Sequence, residues 1–178
     1  MKLSTYLNII LSDLWGRDKS NWVSDYVELL RDNFEIQYYD CCELGGIDKT
    51  IFTEQSLHDQ FVNGGFEIAV ENLLNKEKGE IKILAFSVGG TIAWKAALKG
   101  LKVSDLVAVS STRLRYENQV PNCQVKLYFG ERDDCKPDGS WFLNCQIVPE
   151  INKNNDHLMY VEKDFIHLVC DAILKQNL

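Results

Sequence analysis

Residues 83–94, ILAFSVGGTIAW, constrain this chain more than any other stretch. An apolar run ends at Ser87, small residues stand two before it (Ala85) and two after it (Gly89), and a helical pattern follows at once. That is the layout of a strand that stops, a sharp strained turn carrying a serine, and a helix that leaves from it, the arrangement called a nucleophile elbow. Small neighbours are needed because the strand and helix backbones nearly touch there. The departing helix aims its unpaired N–H groups at whatever sits above the serine. Serine is also a favoured helix N-cap, so this stretch alone leaves a plain capping role open.

The chain around it reads as alternating strands and helices. Strands are expected at Tyr6–Leu11, Glu35–Tyr39, Ile81–Phe86, Leu106–Ser110, Val125–Phe129 and Cys145–Val148, the last shortened by Pro149. Trp22, Tyr26, Leu29 and Leu30 fall at helical spacing, with Ser20 or Asn21 as cap. A long loop is expected over 40–53. Residues 54–76 read as helical, broken near Asn63-Gly64-Gly65. Ile92, Ala93, Ala96 and Ala97 line the helix after the serine, which Gly100 stops. A loop with at most one helical turn follows the fifth strand. A final helix carries Phe165, Leu168, Val169, Ala172 and Ile173 on one face. Alternation of this kind predicts an α/β fold: one domain over 1–178, three layers, a mostly parallel six-stranded sheet and helices on both faces. Loops at the carboxyl ends of the strands then share one crevice. They carry Asp13–Gly16, Ser87, Ser111–Arg115, Glu131–Asp134 and the region of His157.

Composition narrows the function classes. With 178 residues, 46% apolar and 25% charged, the chain suits a globule with one core. A net charge of −7 argues against a nucleic-acid partner. Cys41, Cys42, Cys123, Cys135, Cys145 and Cys170 lack metal-ligand or redox spacing, so they read as reduced thiols of a cytoplasmic protein, with no metal site. The opening MKLSTYLNIIL reads as a strand rather than a leader, because Ser4, Thr5 and Asn8 interrupt it. No stretch approaches the ~18 apolar residues of a membrane span.

A serine nucleophile needs a base, and the base needs an orienting acid. Of three histidines, His58 and His167 lie within helical patterns and read as structural, whereas His157 lies in a polar loop after the last strand. Asp133 and Asp134 follow the fifth strand directly. The order Ser87, then Asp133 or Asp134, then His157 is the one used on this architecture.

Here the chain resembles the α/β-hydrolase fold family over nearly its whole length. AFSVGG is similar to the family's Gly-x-Ser-x-Gly-Gly elbow, with Ala85 in the first glycine position. FGERDD is similar to the Gly-x-x-Asp stretch and singles out Asp133. NDHLMYVEKDFIHLVCDAIL resembles the histidine loop and C-terminal helix, with His157 as base. IILSDLWGRDKSNW resembles the oxyanion loop, with Trp22 in the family's tryptophan position but Asp13-Leu14 where the family has His-Gly. The resemblance implies a serine hydrolase of an ester or thioester: Ser87 attacks, His157 takes its proton, Asp133 orients the histidine, and the N–H groups of Trp15 and Val88 receive the oxyanion. It implies no cofactor. The stretch from Ser110 to Val125 is too short for the lid that relatives often carry there, so the site is expected to be open and able to admit a carrier-bound thioester. Arg113 and Arg115, on the loop after the fourth strand, are candidates to hold an acidic group of the substrate. A non-catalytic binding module on the same fold is the alternative. A flavodoxin-like cofactor binder is disfavoured for want of a glycine-rich phosphate loop.

Overall fold

The computed structural model describes residues 7–176. In chain order the elements are β1 (Leu7–Leu11), α1 (Val23–Leu30), β2 (Glu35–Tyr39), α2 (Cys41–Gly45), α3 (Glu54–Gln60), α4 (Phe66–Lys76), β3 (Ile81–Phe86), α5 (Val88–Leu98), β4 (Val103–Val109), β5 (Gln124–Gly130), α6 (Gly139–Cys145), β6 (Glu150–Asn152) and α7 (Lys163–Lys175). The strands form one sheet in the order β2-β1-β3-β4-β5-β6. Every pairing is parallel. Tyr6, expected to open the first strand, lies outside the described residues.

Alternation along the central strands builds two cores. Ile9 and Leu11 of β1, Ile83 and Ala85 of β3, and Leu106 and Ala108 of β4 face α2 to α6. Ile10, Leu84, Phe86, Val107 and Val109 face α1 and α7. A strand buried on both faces must be apolar at nearly every position, and β3 (IKILAF) is. The helix after the serine obeys the same rule: α5 is buried from Val88 through Trp94, with no solvent stripe in that stretch.

Several boundaries differ from the sequence reading, each for a local reason. The expected sixth strand at 145–148 is instead the end of α6 and its exit. Asp138 caps α6 by accepting the Trp141 N–H at 2.8 Å. Gln146 closes it in a left-handed conformation (φ 55°), and the Ile147 N–H donates back to the Phe142 carbonyl. Val148 is exposed, Pro149 has no N–H to give, and pairing begins at Glu150. β4 starts at Val103, three residues early, because Val103 pairs with Ile81 across a bulge. The loop expected over 40–53 contains α2, nucleated by the Asp40 carboxylate accepting the N–H groups of Cys42 and Glu43. In α7 the buried face is Phe165, Ile166, Val169 and Cys170, whereas Leu168 is 47% exposed. The helical break falls at Asn63 and Gly64, as the sequence suggested.

One contact fixes the site's foundation. A Cβ built on Gly89 would stand 2.5 Å from the Ser12 carbonyl oxygen, so α5 approaches the β1 exit more closely than any side chain allows. Gly89→Ala is expected to lower the unfolding free energy by about 1–3 kcal/mol, as overpacking does. Urea unfolding read by tryptophan fluorescence checks it; an unchanged midpoint would mean the two backbones can part freely.

Candidate active site

Ser87 sits between β3 and α5 with φ 50° and ψ −118°, a conformation costing a serine about 1–3 kcal/mol. Its N–H donates to the Val109 carbonyl at 2.9 Å, and its carbonyl accepts from Gly90 at 3.2 Å and Thr112 at 3.4 Å. These bonds to β4 and to the loop after it hold the strained turn. Ser87 is 2% exposed.

The acid and base come from the next two strand ends. Asp133 follows β5, and its side chain is fully buried. Asp134 is exposed. His157 opens a 3-10 turn, His157–Val161, capped by Asp156, whose carboxylate accepts the Leu158 N–H at 2.9 Å. The two loops are stitched edge to edge. Arg132 N–H donates to the Asn155 carbonyl, Glu131 N–H to the Asn152 carbonyl, and Asn154 N–H to the Glu131 carboxylate. Gly130 permits this approach: a Cβ there would lie 2.4 Å from the Asp156 carbonyl oxygen.

The result is a continuous hydrogen-bonded line. His157 Nδ1 lies 3.1 Å from both Asp133 oxygens, and Nε2 lies 3.1 Å from Ser87 Oγ. An ionised carboxylate can only accept, so Nδ1 carries a proton, and in the neutral imidazole Nε2 is then left to accept the serine hydroxyl. Burial pushes the His157 pKa down, but the Asp133 hydrogen bond and charge, with help from Cys135, outweigh it and leave the pKa above the usual value. Sequence reasoning missed Cys135, two residues beyond the acid. Its N–H donates to Asp133 Oδ1 at 2.9 Å. The donor atoms of Asp133, Cys135 and His157 lie within 4.8 Å of one another, a set able to hold a metal ion.

The departure at Asp13-Leu14 proves consequential. Asp13 is 2% exposed. Its carboxylate accepts the Trp15 N–H at 3.0 Å and the Tyr160 hydroxyl at 3.1 Å. The Trp15 N–H therefore points at a carboxylate. The Val88 N–H lies in the first turn of α5, where the helix supplies no acceptor. Trp22 packs on Tyr26, Phe86 and Tyr160 beneath the line.

The remaining sequence candidates lie beside the line. Arg115 donates to the carbonyls of Thr112 and Cys135, tying the β4 and β5 loops together. Arg113 stacks on Tyr116 at 4.4 Å. Neither contacts the serine, acid or base in the hydrogen bonds above. His58 lies in α3 and His167 on the exposed side of α7. The β4–β5 connection holds one 3-10 turn, Leu114–Tyr116, as its only regular element. All six cysteines are free. No helix among the described residues is long and apolar enough to cross a membrane.

Histidine NMR is expected to place the His157 pKa above 6.5 and to show it falling in Asp133→Asn, since the carboxylate is what raises it. Asp134→Asn is expected to leave it in place. Equal shifts in the two variants would contradict the assignment of the buried carboxylate.

Comparison with known proteins agrees with this architecture. No protein-family model matches the chain. An uncharacterised protein of Bacillus subtilis, YczH, is 32% identical over 122 residues, which take in 67% of this chain and 56% of that protein. The chain thus matches little more than half the length of that curated relative. Solved structures cover it almost fully. The predicted CIB-like hydrolase of Thermoplasma acidophilum superposes with a TM-score of 0.67 at 16% identity, over 98% of this chain and 89% of that one. Est1E of Butyrivibrio proteoclasticus, solved with ferulic acid, gives 0.65 at 12% identity, over 96% and 87%. Carboxylesterase CesB of Bacillus subtilis gives 0.61 at 15%, over 97% and 83%. The six-stranded parallel sheet, the strained serine turn and these likenesses together establish that the chain has the α/β-hydrolase fold.

Proposed function

We propose that this protein is a serine hydrolase that cleaves a carboxylic ester or thioester through an acyl-enzyme on Ser87. The observation that carries the reading is the unbroken line from the Asp133 carboxylate through His157 to the Ser87 hydroxyl, built on a strained turn. Such a turn persists only where surrounding structure holds it, and it presents Oγ to the base. Structural neighbours named as hydrolases and a carboxylesterase support the reaction class.

In the reaction, Ser87 Oγ attacks the carbonyl carbon as His157 Nε2 takes its proton. Asp133 keeps Nδ1 protonated and stabilises the imidazolium. The carbonyl electrons move onto oxygen, which the Val88 N–H receives, a contribution of about 3–4 kcal/mol per donor in other enzymes; the Trp15 N–H can join it only on leaving the Asp13 carboxylate. The tetrahedral adduct collapses, the leaving alcohol or thiol takes the proton from His157, and water repeats the sequence to free the acid. His157 must be neutral to begin, so the fraction of molecules with a competent base grows as pH rises toward its pKa.

A non-catalytic binding role is the second reading. What favours it is the Asp13 carboxylate on the Trp15 N–H, which leaves the oxyanion one expected donor short.

A fluorophosphonate probe followed by peptide mapping separates the two. Label on Ser87, abolished in Ser87→Ala, is expected; an unlabelled protein would leave the binding reading. Asp133→Asn is expected to lower turnover by about 10⁴-fold, because the histidine then takes the wrong tautomer.

Substrate preference follows from access. Without a lid between β4 and β5, little of a long acyl chain is buried, and each buried methylene would add about 0.8 kcal/mol. Short-chain nitrophenyl esters are expected to match or exceed long-chain ones in specificity constant, and an open rim would admit a carrier-bound thioester. A steady rise with chain length would point to a deep apolar channel. For an acidic acyl group, Arg113 is the better candidate of the two arginines, since Arg115 already serves two carbonyls. Arg113→Ala is expected to reduce any preference for carboxylate-bearing over neutral esters; an identical preference would discard this role.

A further inference from the structure

We propose that Asp13 is a positioning residue that sets the oxyanion hole: its carboxylate withholds the Trp15 N–H from the reacting oxygen, and acyl transfer runs through molecules in which Asp13 is neutral. The inference rests on the serine-hydrolase reading above. Three observations carry it. Asp13 stands in the His-Gly position of the loop that leaves β1, and this loop lies against α5 at Gly89. Its Oδ1 accepts the Trp15 N–H at 3.0 Å. Its Oδ2 accepts the Tyr160 hydroxyl at 3.1 Å, and the Tyr160 ring lies edge-on to His157 with centroids 6.1 Å apart. A buried carboxylate is thus fixed at the second oxyanion donor.

An ionised Asp13 opposes an oxyanion in two ways. A charge-assisted bond holds the N–H about twice as strongly as a neutral one. A negative charge beside a developing negative charge raises the barrier, most of all where water is excluded. A proton on Asp13 removes the charge and loosens the hold on Trp15. Buried carboxylic acids kept neutral at an oxyanion are known in other enzymes.

The surroundings place this change in an accessible range. Burial raises the Asp13 pKa to about 6, against lowering by the Trp15 N–H, the Tyr160 hydroxyl and the charge of His157. Asp40 raises it. The thiols of Cys41 and Cys42, from α2, donate to the Ser12 and Leu14 carbonyls on either side of it. As pH rises through about 6, the neutral fraction of Asp13 falls tenfold per pH unit while neutral His157 grows. The wild-type profile therefore rises, levels between the two pKa values, and falls above that of His157. Asp13→Asn keeps an acceptor for Trp15 without charge or titration. Its profile is expected to rise to the His157 pKa and stay level.

The test is the rate of Ser87 labelling by a fluorophosphonate, and of nitrophenyl acetate turnover, from pH 5 to 9 in wild type and Asp13→Asn. The variant-to-wild-type ratio is expected near one at pH 5 and at least tenfold at pH 8. Tyr160→Phe supplies a second readout: losing a hydroxyl that lowers the Asp13 pKa moves the point of departure to higher pH. A ratio that stays constant across pH, or a variant slower than wild type at pH 8, overturns the inference while labelled Ser87 preserves the hydrolase reading. No label on Ser87 in either protein at any pH removes both.

Discussion

The strained turn at Ser87 is the constraint from which the site follows. A serine at φ 50° is unfavourable alone, and the structure holds it by bonding its N–H to β4 and its carbonyl to Gly90 and Thr112. That arrangement requires β3 to be apolar on both faces, α5 to be buried along its first two turns, and Gly89 to touch the Ser12 carbonyl. The two cores supply the opposing surfaces. The β1 exit, the β4 exit and α5 are consequently fixed relative to one another before the acid and base are added.

The second layer of the site is electrostatic. Two loops at the far side of the sheet approach closely enough, through Gly130, for Asp133 and His157 to pair. That pairing fixes the tautomer that leaves Nε2 facing Ser87. On the other side Asp13 and Tyr160 form a separate buried pair, so one small volume contains two buried carboxylates with different partners. Asp133 raises the basicity of His157, whereas Asp13 engages the N–H that an oxyanion would use. The environments differ accordingly: burial is the dominant influence on Asp13, pushing its pKa upward.

Much of this was legible in the sequence because it is local. Apolar runs for β3 and β5, the serine between small residues, and the breaker at Asn63-Gly64 each rest on a few adjacent residues. What escaped depends on distant contacts or on caps. CQIV has strand-like residues, yet Asp138 and Gln146 make its first residue the end of a helix, and Val148 faces solvent. Leu168 fits a helical stripe, but the stripe that meets the sheet runs through Ile166 and Cys170. The roles of Tyr160 and Cys135 could not be read from spacing, since Tyr160 meets Asp13 across 147 positions and Cys135 acts through a loop pairing. The replacement of His-Gly by Asp13-Leu14 was visible, but its consequence required knowing which way the Trp15 N–H points.

The proposed reaction requires Ser87 to carry the acyl group. Acid quenching of the protein during turnover of nitrophenyl acetate, followed by intact mass measurement and peptide mapping, tests it directly. A fraction of the protein heavier by one acetyl group, with the modification on Ser87, is expected. Steady ester turnover with no acylated protein, or acetyl found on another residue such as Cys135, would contradict it.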